Sequence, residues 1–174
     1  MTTIVSSSTN SSTKKASGGS GEAIYAAESH SVVTIQGDEV VTMNTVSGPQ
    51  TSTATVLGSG FAVVYQNSYY VVTNYHVVNG VSNMTVTFWN GDAYQGKAVG
   101  TDAYSDPAIV AVNGALTSEF VPLMIVSSSA VSVGDPVYAI GAPYGLSGSF
   151  TYGIISQLGR TIQEATTGNY SIAE

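Results

Sequence analysis

The chain has 174 residues, with 4 Lys and Arg against 11 Asp and Glu for a formal net charge of −7, and no cysteine. Lys97 is the only cation between Lys15 and Arg160, so no face can neutralise a run of phosphates, which argues against nucleic acid and anionic membranes as partners. Without cysteine there is no disulfide, thiolate metal site or thiol nucleophile, and two histidines without His-Glu-x-x-His spacing argue against zinc; no cofactor is expected.

Residues 1–21, MTTIVSSSTNSSTKKASGGSG, have little to bury and read as a flexible tail or linker. EAIYAAESH, from Glu22, suits a short helix, and no other segment carries a convincing 3.6-residue period. The remainder alternates short apolar, β-branched runs with Gly, Asn, Asp and Pro, the pattern of an all-β fold. Strands are predicted at 31–36, 40–44, 53–56, 60–66, 69–74, 84–89, 93–101, 109–112, 136–140 and 149–157. Gln66-Asn67-Ser68 and Asn90-Gly91-Asp92 are predicted to be tight hairpin turns, and residues 45–53, TVSGPQTST, a longer exposed loop. Hairpins at this spacing predict a barrel or sandwich, and no internal repeat stands out.

No apolar run approaches the ~18–20 residues that a membrane span needs, and no signal-peptide core follows Met1. Either the protein is cytoplasmic or an export segment has been removed; scarce lysine, a surface rich in Ser, Thr and Asn, and sequons at Asn10, Asn83 and Asn169 favour the second, an exported, extracytoplasmic protein.

Within VVTNYHVV (71–78), His76 reads two ways. It is either an imidazole satisfied in a core, the commoner situation, or a base turned toward a cleft at the end of a strand. A base needs a carboxylate partner. Asp106, in GTDAYSDPAIVAV, ends a polar turn and stands at the entrance to the apolar run 108–112, where a carboxylate is costly unless paired. Capping that turn is the plainer role for Asp106, and Asp102, deeper in the turn, is a rival placed to cap the loop.

GSGFAVVYQNSYYVVTNYHVV, then VGTDAYSDPAIVAV, then VGDPVYAIGAPYGLSGSFTYGIISQLGR together resemble the HtrA (DegP-like) serine proteases, a chymotrypsin-fold, trypsin-like family, across roughly residues 24–165. The pieces occur in the family's order, with the Asp thirty residues after the His. The resemblance implies a double β-barrel. Its first barrel would occupy 22–120, and 121–174 would hold the opening strands of a second, partial barrel, ending in a regulatory loop. His76 would be the general base, and Asp106 the group that orients it and stabilises the imidazolium. The departures are Tyr75 for the family's Asn, Pro107 for Leu and Ala142 for Asn. Pro107 removes a backbone N–H beside the acid without removing its carboxylate.

The family's Gly-Asn-Ser-Gly-Gly nucleophile segment does not occur here. By family spacing it is expected roughly ten residues beyond Glu174, together with the oxyanion-hole amides. The 174 residues are then either an incomplete stretch of a longer protease or one piece of a chain cut within the loop before the serine. Ser59, Ser147 and Ser149 are Gly-flanked or nearly so, but none sits in a Gly-x-Ser-x-Gly elbow, and none is expected to substitute.

His30 suggests no partner and reads as a surface residue. Tyr69, Tyr70, Tyr75, Phe88, Trp89 and Tyr94 read as barrel and cross-strand packing rather than a ligand platform. The resemblance also implies polypeptide substrates, unfolded ones in particular, and a homotrimer. A non-catalytic β-barrel binding module or an inactive protease-like domain is the competing reading. The 174 residues alone are expected to be inactive.

Overall fold

The computed structural model describes residues 20–45, 47–142, 148–162 and 172–173. Helix α1 (Gly21–Glu28) starts where the sequence predicts a helix. Ser20 caps it, its hydroxyl accepting from the Ala23 N–H at 3.3 Å, and Glu22 lies in the first turn, where a negative charge suits the helix dipole. A single 3-10 turn (Ser29–Ser31) leads into β1 (Val32–Thr45).

β1 pairs antiparallel with β2 (Gly48–Tyr65) along its whole length, from Val32↔Phe61 to Thr45↔Gly48. This corrects the predicted loop at 45–53 and fuses four short predicted strands into two long ones. The Gly, Pro and Ser of that stretch mimic a loop. Yet Thr42, Thr45, Thr51, Thr53 and Thr55 favour extended backbone, and each strand satisfies the other's N–H and C=O groups without a core. A further strand, residues 81–87, accompanies β1 only from Thr34 to Glu39, so the outer half of the hairpin is a two-stranded arm.

β3 (Ser68–Asn74), β4 (Val81–Thr87), β5 (Ala93–Thr101) and β6 (Pro107–Asn113) complete a closed barrel in the order β1-β2-β3-β6-β5-β4. The predicted tight turn between β2 and β3 is present, with Gln66 and Asn67 at φ +47° and +63°, as a two-residue hairpin of matching twist requires. Strand alternation sends Val33, Ile35, Ala62, Val71, Val86, Ala108 and Val110 inward, each at most 1 % exposed. Gly60 is forced by close packing: a Cβ there would lie 2.6 Å from Val71 Cγ1 and 2.9 Å from the Val72 carbonyl.

An aromatic cluster joins the core. The Phe88 ring meets those of Phe120 and Tyr94 edge-on at 4.9 and 5.9 Å, and Tyr69 lies 5.1 Å from Phe120. Tyr94 donates its hydroxyl to Glu119 Oε1 at 2.7 Å. That bond ties β5 to the segment leaving the barrel and pushes the Tyr94 phenol up to about 12. His30, expected to have no partner, stacks on Trp89 with ring centres 4.2 Å apart.

Beyond the barrel, β7 (Pro136–Gly141) and β8 (Ser149–Ile154) form a separate hairpin, and β9 (Thr161–Ile162) pairs with β10 (Ile172–Ala173). Tyr138 stacks on Phe150 at 5.2 Å, and Tyr25 of α1 meets the same Phe150 edge-on at 5.3 Å. The helix that precedes the barrel is thereby docked on the hairpin that follows it. Ser147 lies outside the described residues.

Two outcomes test this packing. Gly60→Ala is expected to lower stability by about 1–3 kcal/mol in urea unfolding, because the Val72 backbone cannot move aside. Gly153→Ala, with nothing within 4 Å of its Cβ position, should be neutral or stabilise by about 0.4–1 kcal/mol. For Tyr94, the fold favours the protonated phenol, so its contribution is present below pH 10.0, its ordinary value, and is lost as pH rises through about 12. Tyr94→Phe should flatten the decline of stability across that window, as followed by circular dichroism.

Candidate active site

β3 ends at Asn74 and the chain turns at once into α2 (Tyr75–Val78), a single helical turn closed by the Asn79 N–H on the Tyr75 carbonyl at 2.8 Å. The sequence shows no such helix, because four residues carry no readable period. Its cause is packing. Val77 and Val78 are both buried, and an extended strand would send consecutive side chains to opposite faces. The helical turn buries both valines and leaves His76 outward, its side chain 54 % exposed. Gly58 makes room for it, since a Cβ there would sit 2.5 Å from Val77 Cγ1.

Asp106 arrives from the other side. The turn before β6 is closed by the Asp102 N–H on the Pro107 carbonyl at 2.9 Å. Asp102 Oδ1 accepts from the Tyr104 N–H at 2.8 Å, and this bond, with further ones from Ser105, holds the Asp102 carboxyl below its ordinary 3.8. Asp102 therefore caps the turn. Asp106 has φ +64°, a left-handed conformation that Asp tolerates better than most residues.

Register places Asn74 opposite Pro107, so the end of β3 meets the start of β6. The Asp106 carboxylate collects three donors there. Oδ1 accepts the His76 N–H at 2.9 Å, and Oδ2 accepts Asn74 Nδ2 at 2.7 Å. His76 Nδ1 lies 2.7 Å from the same Oδ2. The Tyr75 N–H donates to the Asp106 backbone carbonyl at 2.6 Å. The residue is 8 % exposed, and these donors satisfy a carboxylate that burial would otherwise penalise. With Oδ2 accepting, the imidazole proton belongs on Nδ1 and the Nε2 lone pair is left for another group.

The structure thus brings His76 and Asp106 together. It adds Asn74, which the sequence analysis did not single out. The one available signal was its position directly before the turn, where Asn side chains commonly bond to nearby groups. Ser59 Oγ accepts the Ala142 N–H at 2.7 Å, and Ser149 begins β8. Among the described residues no three His, Asp or Glu side chains are grouped to hold a metal ion.

Asn74→Ala removes one donor from a charged acceptor and is expected to cost about 1.5–3 kcal/mol in unfolding free energy. Asn74→Asp, which sets a second carboxylate against the first, should cost more than Asn74→Ala at neutral pH.

The family model described as the trypsin-like peptidase domain matches residues 58–172, more than half of the chain. Protease Do-like 1, chloroplastic, of Arabidopsis thaliana is 38 % identical over 111 residues, covering 64 % of this chain and 25 % of that protein. Serine protease Do-like HtrB of Bacillus subtilis is 41 % identical over 100 residues, covering 56 % of this chain and 21 % of that one. The chain therefore spans a quarter or less of the length of these relatives. Among solved structures, a variant of the HtrA-type protease AlgW with a decapeptide superposes with TM-score 0.72 at 22 % identity, over 87 % of this chain and 49 % of its own. That likeness bears on the fold, with which the closed six-stranded barrel is consistent as a chymotrypsin-like one. The match across 58–172 makes this chain a member of the trypsin-like peptidase domain family, with Do-like, HtrA-type serine proteases as its relatives.

Proposed function

We propose that the chain is the base-and-acid portion of an HtrA-type serine endopeptidase. The observation that carries this reading is the 2.7 Å contact between His76 Nδ1 and Asp106 Oδ2 on a half-exposed imidazole. In the proposed reaction, His76 Nε2 takes the proton of a serine hydroxyl as it attacks a peptide carbonyl, then returns it to the leaving amine. Water hydrolyses the acyl-enzyme by the same route. Asp106 keeps the proton on Nδ1 and stabilises the imidazolium, and Asn74 and the His76 N–H hold the carboxylate in place for that task.

The serine and its oxyanion amides would come from sequence outside these 174 residues. Residues 22–120 would form the first barrel and 121–174 the opening of the second, with the substrate cleft between them. Polypeptides, unfolded ones in particular, are the proposed substrates, and a homotrimer is the proposed assembly. An extracytoplasmic location is proposed because several relatives are named as periplasmic or chloroplastic proteases.

The test uses the full-length protein. Wild type should react with a serine-directed phosphonate and hydrolyse an unfolded protein such as casein, and His76→Ala should abolish both. Asp106→Asn, which reverses the tautomer, should lower kcat by about ten-thousandfold. The 174 residues alone should hydrolyse nothing. A full-length protein with another residue at the nucleophile position, or phosphonate labelling that survives His76→Ala, would overturn the reading in favour of an inactive binding module.

A further inference from the structure

Gly58-Ser59-Gly60 lies under the turn that carries His76, and the proposed reaction assigns it nothing. Each residue has a distinct contact. Gly58 leaves space for Val77 and Gly60 for Val71. Ser59 between them is bonded in two directions. Its backbone carbonyl accepts the hydroxyl of Thr73 at 2.8 Å, and its own Oγ accepts the Ala142 N–H at 2.7 Å.

These two bonds join different parts of the molecule. Thr73 is fully buried in the barrel and is followed directly by Asn74, which holds the Asp106 carboxylate. Ala142 is 3 % exposed and directly follows β7. The β7–β8 ladder ends at Gly141↔Ser149, so among the described residues no strand pairing takes up the Ala142 N–H, and the serine hydroxyl satisfies it. A buried N–H deprived of its acceptor is costly. The Ser59 hydroxyl is thus a direct polar tie between the barrel and the residue that follows β7.

We infer that Ser59 is a positioning residue: its hydroxyl sets the spacing between the second-barrel strand β7 and the β3 end that carries Asn74 and His76. This rests on the reading of the chain as a two-barrel protease, whose nucleophile and base come from opposite barrels. Spacing between the barrels then governs the approach of the serine to Nε2, a geometry to which acyl transfer is steeply sensitive. The signal in sequence is a serine where two flanking glycines already meet the steric demand.

The experiment compares wild type, Ser59→Ala and Ser59→Thr in the full-length protein, with two readouts. The first is amide hydrogen exchange at Ala142. It should accelerate on the order of tenfold in Ser59→Ala and return toward wild type in Ser59→Thr, while the Val71 and Val110 amides stay unchanged. The second is peptide hydrolysis per titrated active site. In Ser59→Ala, kcat should fall on the order of tenfold with KM within about twofold, and Ser59→Thr should recover it. A merely structural role would reduce the number of titratable sites and leave kcat per site intact.

Unchanged Ala142 exchange in Ser59→Ala, or unchanged kcat per site, overturns the inference while leaving the protease reading standing. A wild-type protein that neither titrates nor hydrolyses peptide overturns the protease reading, and the positioning role with it, even where exchange demonstrates the tether.

Discussion

A buried carboxylate must be satisfied, and that requirement organises the rim of this barrel. Asp106 is nearly removed from solvent, and its oxygens are met by Asn74 Nδ2, the His76 N–H and His76 Nδ1. All three donors come from one short stretch at the end of β3. Had the chain continued as a strand beyond Asn74, the His76 amide would point along the sheet. The single helical turn at 75–78 delivers backbone and side-chain nitrogens to the same carboxylate.

Barrel closure makes that meeting possible. β3 and β6 are distant in sequence order but adjacent in the sheet, and the pairing of Asn74 with Pro107 fixes how the two strand ends align. The left-handed backbone at Asp106 swings its carboxylate toward β3, with Pro107 fixing the direction of departure into β6. Core packing beneath then holds the geometry. Val77 and Val78 anchor the helical turn from below, so orientation of the imidazole is coupled to burial of its neighbours.

Much of this was legible in the residues. β-branched apolar runs marked the barrel strands, because half-buried strands need that composition. The Gln66-Asn67 turn followed from a short segment joining two β runs, with an Asn that tolerates positive φ. His76 and Asp106 stood out by spacing and by the family resemblance. Other features were hidden for physical reasons. Residues 42–45 and 48–55 pair as strand although they have almost nothing to bury, so hydrophobic pattern could not reveal them. The helical turn at 75–78 is too short to have a period. Asn74 and Ser59 act through partners 32 and 83 residues away, contacts that local sequence does not encode.

The most direct test of this arrangement is where the neutral imidazole of His76 carries its proton. In the protein with 15N-labelled histidine, the Nδ1 signal should be protonated and the Nε2 signal unprotonated. The Nδ1–H resonance should lie far downfield, be protected from solvent exchange and vanish in Asp106→Ala. A neutral His76 protonated on Nε2, or an Nδ1–H that exchanges as freely as in an isolated histidine, would contradict the proposed role of the pair.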